Sequence, residues 1–132
     1  MVSGRAKTLT ASCVGFVGAY PQFAKYAIDG DLSTRWSSCN DASAWLQVQL
    51  PASATIAKVV LHWEAAGKSY LIQTSSDGVT WSTAATVTNG DGGTDVVYLE
   101  GTPSASYVRM QGVQRATGYG YSIYEMQVYP VA

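Results

Sequence analysis

Charge is scarce in this 132-residue chain. Charged residues make up 13%, and eight basic against nine acidic residues leave a formal net charge of −1. That is about half the charged share of an ordinary globular domain. A phosphate backbone needs a basic surface, so nucleic acid is excluded as the main partner. Groups for acid–base chemistry are also few: one His and three Glu (Glu64, Glu100 and Glu125). A glycosidase needs two carboxylates facing across a cleft, ~5–10 Å apart. Glu100 precedes a Gly-Thr-Pro turn. No nucleophile elbow, zinc signature or phosphate loop is present. An enzyme is therefore not expected. No apolar run approaches the ~18 residues of a membrane span, so no membrane insertion is expected. The first 25 residues lack the apolar core of a secretion signal, and Met1-Val2 reads as the start of a segment cut from a longer protein. Phe is rare at two, against nine Tyr and four Trp. Tyr and Trp combine an apolar face with a polar edge, which suits half-exposed contact surfaces and sheet faces alike.

Hydrophobic residues, at 47%, suffice for one core, and the length suits one domain. We read residues 1–132 as a single domain with its core over about 8–130, without repeats or linkers. Alternation dominates. Leu46, Val48 and Leu50 share one face opposite Gln47 and Gln49, and Pro51 is expected to end that strand. Val59, Leu61 and Trp63 alternate with Lys58, His62 and Glu64. Tyr70–Ser75 forms a further strand, followed by an Asp77-Gly78 turn. Asp95–Leu99, Ser106–Val113 and Ser122–Val128 complete the set. Helical spacing with caps is missing, and turn residues recur about every ten positions, which predicts an all-β sandwich or barrel. Val14 to Trp36 lacks steady alternation, and a loop of that length in a small domain is usually functional.

Ala27-Ile28-Asp29-Gly30-Asp31-Leu32-Ser33-Thr34-Arg35-Trp36-Ser37-Ser38 resembles the signature of the discoidin domains, the coagulation factor V/VIII type C domains. Trp45–Leu50, Ser75–Trp81, Tyr107–Met110 and Gly120–Tyr129 resemble later landmarks of that family, in order. Where the family often has Asp, this chain has Gln49. The resemblance implies a jelly-roll β-sandwich of about eight strands. Within the family, Leu61–Ala66 and the Gly-Tyr-Ser ending look most like bacterial carbohydrate-binding modules of family thirty-two, usually appended to secreted glycoside hydrolases. The implied protein is extracellular, a monomer within a multidomain enzyme.

Members of that family often hold a structural Ca²⁺ with residues matching Asp29, Asp31, Thr34 and Glu125, plus carbonyls near Tyr26 and Tyr124. Hard divalent cations favour such oxygen donors. Taken alone, Asp-Gly-Asp also reads as an Asx turn. The family layout brings Cys13 and Cys39 to one end of the sandwich, which implies a disulfide in a secreted protein; two buried thiols are the alternative.

Family members bind ligands on loop tips at one end. The richest candidate loop runs from Arg115 to Tyr121, where Gly118 and Gly120 are expected to leave the rings of Tyr119 and Tyr121 bare for pyranose stacking. Tyr20, Arg35, Trp36, Glu64 and Arg115 complete the candidate ligand-binding set. Trp45, Trp63 and Trp81 are expected in the core or on sheet faces, and His62 in a structural role. No His lies in these loops, which argues against galactose, and carboxylates are sparse in the first loops, which argues against polycationic chitosan. The remaining resemblance, to modules attached to bacterial glucanases, implies a non-catalytic module that targets a polysaccharide, with a neutral β-glucan first. Galactose-type cell-surface glycans, amino sugars such as chitosan, and a protein- or lipid-binding discoidin role are the alternatives.

Overall fold

The structure is a computed structural model describing residues 8–17, 20–21, 24–28 and 30–131. Its organising element is one very long strand. Reading along the chain, β1 is Thr8–Ala11, β2 Phe16–Val17, β3 Tyr20–Pro21 and β4 Trp36–Ser37, with a 3₁₀ helix at Ala24–Ala27. Then follow β5 (Trp45–Ala65), β6 (Gly67–Ser75), β7 (Ser82–Val87), β8 (Thr94–Tyr98), β9 (Ser104–Arg115) and β10 (Ser122–Pro130).

Pro51 does not end a strand. The 21 residues of β5 continue through it, with a register shift between Gln49 and Ala54 over the exposed Pro51, Ala52 and Ser53. A proline lacks only its own N–H, so an irregular, outward-turned position absorbs it without ending the strand. The irregularity lets β5 serve two layers. Its first half pairs with β1 and β9, which continues through β6 to β7. Its second half pairs with β10 and β8, and β10 carries β4 on its far side. All these pairings are antiparallel, and the result is an all-β sandwich.

Alternation decides what fills it. Leu46, Val48 and Leu50 from the first layer meet Ile56, Val59, Leu61 and Trp63 from the second, each at most 5% exposed. Ile72, Val108, Met110, Ile123, Met126 and Val128 close the core. Each fully buried Leu, Ile or Met stabilises the fold by about 1.5–3 kcal/mol in transfer free energy. Edge strand β8 is anchored by polar chemistry. Trp63 Nε1 and Tyr70 Oη both donate to Asp95 Oδ2, at 3.0 and 2.7 Å. Burial, and then the adjacent carboxylate, hold the Tyr70 phenol well above its ordinary pKa.

Candidate functional site

At one end of the sandwich the ends of β4 and β5 and the start of β10 surround a cleft of ≈ 680 Å³. Arg35, Asn40, Glu64 and Tyr119 present side chains of differing chemistry along its lining. Tyr119 is 76% exposed. Its backbone N–H donates to Thr117 Oγ1 at 3.1 Å, which fixes the turn that carries the ring outward. Gly118 sits in open space. Glu64 is the last outward-facing residue of β5, and its Oε2 lies 3.8 Å from Arg35 Nε. At that separation and exposure the pair is worth at most about 1 kcal/mol, so both groups stay available to a ligand. Arg35 Nε also donates to Ser37 Oγ (3.3 Å), which shares a 2.7 Å hydrogen bond with Ser122 Oγ. Hydroxyls, a guanidinium, a carboxylate and a bare aromatic face thus converge, which is the chemistry of a site for a polyhydroxylated ring.

Tyr121 is corrected. It lies in the core with no exposed area. Its phenol donates to Ala42 O at 2.6 Å, and its ring packs 6.3 Å from that of Trp63. Burial raises the pKa of the phenol. The side chain needs the space left by Gly112, where a Cβ would overlap the Tyr121 ring. Gly120 likewise has a different role from the one expected. A side chain there would strike the backbone of Ser38 and Cys39, so Gly120 lets two loops approach. The backbones of Ser38 and Tyr121 bond across this contact, with Ser38 N–H donating to Tyr121 O at 2.8 Å.

Trp36 is the second correction. It is fully buried, and Nε1 donates to Cys13 O at 3.3 Å. It is not among the residues lining the cleft and offers no ring to a ligand. Arg115 is half-buried and is not among the residues lining the cleft, though its Nη1 lies 3.5 Å from Tyr119 O. The backbone of Tyr20 in β3 pairs with Val17 of β2, but its side chain lies outside the described residues. Sequence reasoning missed Asn40 and the Ser37–Ser122 pair; nothing in their local pattern distinguishes them from ordinary loop and strand residues.

Cys13 and Cys39 form a disulfide with Cα atoms 5.6 Å apart. It fastens the segment after β1 to the loop that floors the cleft.

On the implied calcium ligands the structure is informative in part. Glu125 is 3% exposed, and its Oε1 accepts the Gly30 N–H at 2.8 Å, tying β10 to the Asp-Gly-Asp turn. Asp31 Oδ1 accepts from Ser33 N and Oγ, an Asx turn, and Thr34 Oγ1 donates to Asp31 O at 3.1 Å. Asp29 and the Tyr26 side chain lie outside the described residues, and Tyr124 is half-buried. Among the described residues no group of three His, Cys, Asp or Glu converges. The donors present are all hard oxygens, which fits Ca²⁺ in kind.

The F5/F8 type C model described as a NedA-like, galactose-binding domain matches residues 26–110. The chain belongs to this F5/F8 type C family. Among solved relatives, chitosan-binding module 1 of a chitosanase/glucanase from Paenibacillus sp. IK-5 is 40% identical, with a TM-score of 0.87 over 98% of both chains. Chitosan-binding module 2 of that enzyme, solved with chitotriose, is 35% identical with a TM-score of 0.85, over 94% of this chain and 96% of its own. The polysaccharide lyase 8 family protein HylA of Enterococcus faecalis is 36% identical over 95 residues, 70% of this chain. This F5/F8 type C domain spans only 7% of that curated relative's length. These relatives are two chitosan-binding modules and a polysaccharide lyase family protein.

Proposed function

We propose that this domain is a non-catalytic carbohydrate-binding module, appended to an extracellular polysaccharide-degrading enzyme, and that its cleft binds amino-sugar chains of the chitosan type. The observation that carries the reading is the pairing of an exposed Tyr119 ring with the Glu64 carboxylate in one cleft. A ring face stacks on the C–H face of a pyranose, and a carboxylate accepts a charge-assisted hydrogen bond from a glucosamine ammonium. The 40% and 35% identical chitosan-binding modules favour this ligand over the neutral β-glucan that the resemblance to glucanase-attached modules implied. Glu64, expected among the ligand-binding residues, brings into the cleft the carboxylate that the first loops lack.

Glu64→Gln keeps the shape and removes the charge. Loss of one charge-assisted bond, worth ~1.5–3 kcal/mol, corresponds to roughly tenfold or more in affinity. In calorimetric titration the parent should bind chitotriose more tightly than its N-acetylated form or cellotriose, and Glu64→Gln should erase the difference. Equal binding of chitotriose and cellotriose by the parent would favour the neutral glucan.

The same reading includes a structural Ca²⁺ held by Asp29, Asp31, Thr34 and Glu125 with the carbonyls of Tyr26 and Tyr124. The buried Glu125 carboxylate against the Gly30 turn supports it. The ion would supply a clamp between the first long loop and β10, with no part in chemistry. Excess chelator should lower the melting temperature, and added Ca²⁺ should restore it; an unchanged melting curve argues against the site.

A further inference from the structure

Away from the cleft, the outer face of the layer β1–β5–β9–β6–β7 carries an unusual set of side chains. Register places Gln47 opposite Arg109, and Arg109 opposite Gln73, which stands opposite Thr83. The flanking rows bring Trp45 beside Gln111 and Gln49 beside Tyr107. Strands lie about 4.8 Å apart, so the row from Gln47 to Thr83 runs roughly 15 Å across the sheet. Among the described residues of these rows, Arg109 alone carries a formal charge.

Arg109 is held as a fixed part of that surface. Its Nε and Nη2 both donate to Gln73 Oε1, at 3.0 and 2.6 Å. Its guanidinium lies 4.1 Å from the Trp81 ring centroid and 5.8 Å from that of Trp45. Trp81 in turn meets Tyr107 edge-on, with centroids 6.4 Å apart. All four side chains are half-buried. A flexible cation has thereby become part of a preorganised strip, with the guanidinium held over the Trp81 ring and beside that of Trp45.

The strip is rich in unmatched donors. Trp36 and Trp63 donate their indole N–H groups to Cys13 O and Asp95 Oδ2. The indole N–H groups of Trp45 and Trp81 have no such partner among the described residues, and neither has Arg109 Nη1. Donors and positive charge face outward with no carboxylate in these rows to answer them. The complementary ligand is planar-faced, rich in acceptors and negatively charged.

We infer that this sheet face is a second saccharide site, selective for uronate-bearing chains, with Trp45 and Trp81 stacking sugar rings and Arg109 pairing with a carboxylate. It is independent of the cleft and of opposite charge preference. A cationic glucosamine chain is repelled here and an acidic chain is drawn in.

The test is a titration of the ¹⁵N-labelled domain with trigalacturonate, read at the indole N–H signals of Trp45 and Trp81. Both signals should shift with a millimolar or tighter dissociation constant, the affinity should fall with added salt, and cellotriose should shift them at least fivefold more weakly. Arg109→Gln should lower the trigalacturonate affinity about fivefold or more, and Arg109→Lys should recover part of it. Absence of indole shifts overturns the inference, as does equal response to cellotriose or unchanged affinity in Arg109→Gln. Should Arg109→Gln fail to fold, the salt dependence and the cellotriose comparison on the parent still decide.

Discussion

At the scale of single residues, two tyrosines separated by one glycine do opposite work. Tyr119 projects because its turn is closed by Thr117 and nothing surrounds Gly118. Tyr121 points inward because Gly112 leaves its ring a place. Sequence alone could not separate them: each is a Tyr beside a Gly, and the strand that fixes the side of Tyr121 starts only at Ser122. Substitutions should separate them. Tyr119→Ala should leave the melting temperature within error and weaken saccharide binding about fivefold, the loss of one aromatic contact of ~1 kcal/mol. Tyr121→Ala should cost ~3–5 kcal/mol of stability, as other large core truncations do, measured by denaturant unfolding. Tyr121→Phe should cost about 1 kcal/mol, through the lost bond to Ala42 O and the carbonyl left without it.

At the scale of elements, alternation made most strands legible. It specified which face of Leu46–Leu50 and Val59–Trp63 turns inward, because a one-residue slip would expose the whole set. It could not reveal that both runs belong to β5, since a proline followed by two more exposed residues looks like a loop end. Polar anchors were equally invisible. Asp95 sits in a strand of alternating character, yet it accepts from Trp63 and Tyr70, which are 25 or more positions away. Asp95→Ala should destabilise the domain by about 2 kcal/mol, because two largely buried donors lose their acceptor. The loss should show as earlier hydrogen exchange in β8 than in β9. The Asp77 turn carries a pH dependence. Its carboxylate accepts from Val79 N, Thr80 N and Ser75 Oγ, and the two backbone bonds chiefly lower its pKa. Asp31 and Asp41 are lowered by Ser33 and Ser43 in the same manner. A carboxylate with a depressed pKa contributes stability that is complete above the ordinary value of 3.8 and is lost as pH falls through the lower folded value. The melting temperature should therefore drop on acidification below about pH 4, and Asp77→Ala should flatten part of that drop.

At the scale of the whole molecule, the candidate site lies at the end of the sandwich where the disulfide, the buried Trp36 and the Gly120 contact join neighbouring segments. Cys13→Ser with Cys39→Ser should cost roughly 3–4 kcal/mol in the chain-entropy picture. It should also weaken binding by loosening the loop that carries Asn40. Family membership was readable from the Ala27–Ser38 signature, and the loop inventory pointed to the end that holds the candidate cleft. The particular residues were harder to read, because a site on loop tips is assembled from β4, β5 and β10, which are far apart in sequence. A shallow site of this kind gains few contacts, so single-module affinity should be micromolar to millimolar, with neighbouring modules adding avidity. The most direct test of the cleft as a saccharide site is a chitotriose titration followed by backbone amide NMR. The expected result is saturable shifts clustered at Arg35, Asn40, Glu64 and Tyr119, reduced in Tyr119→Ala. Shifts that avoid those residues, or no shifts at millimolar sugar, would contradict it.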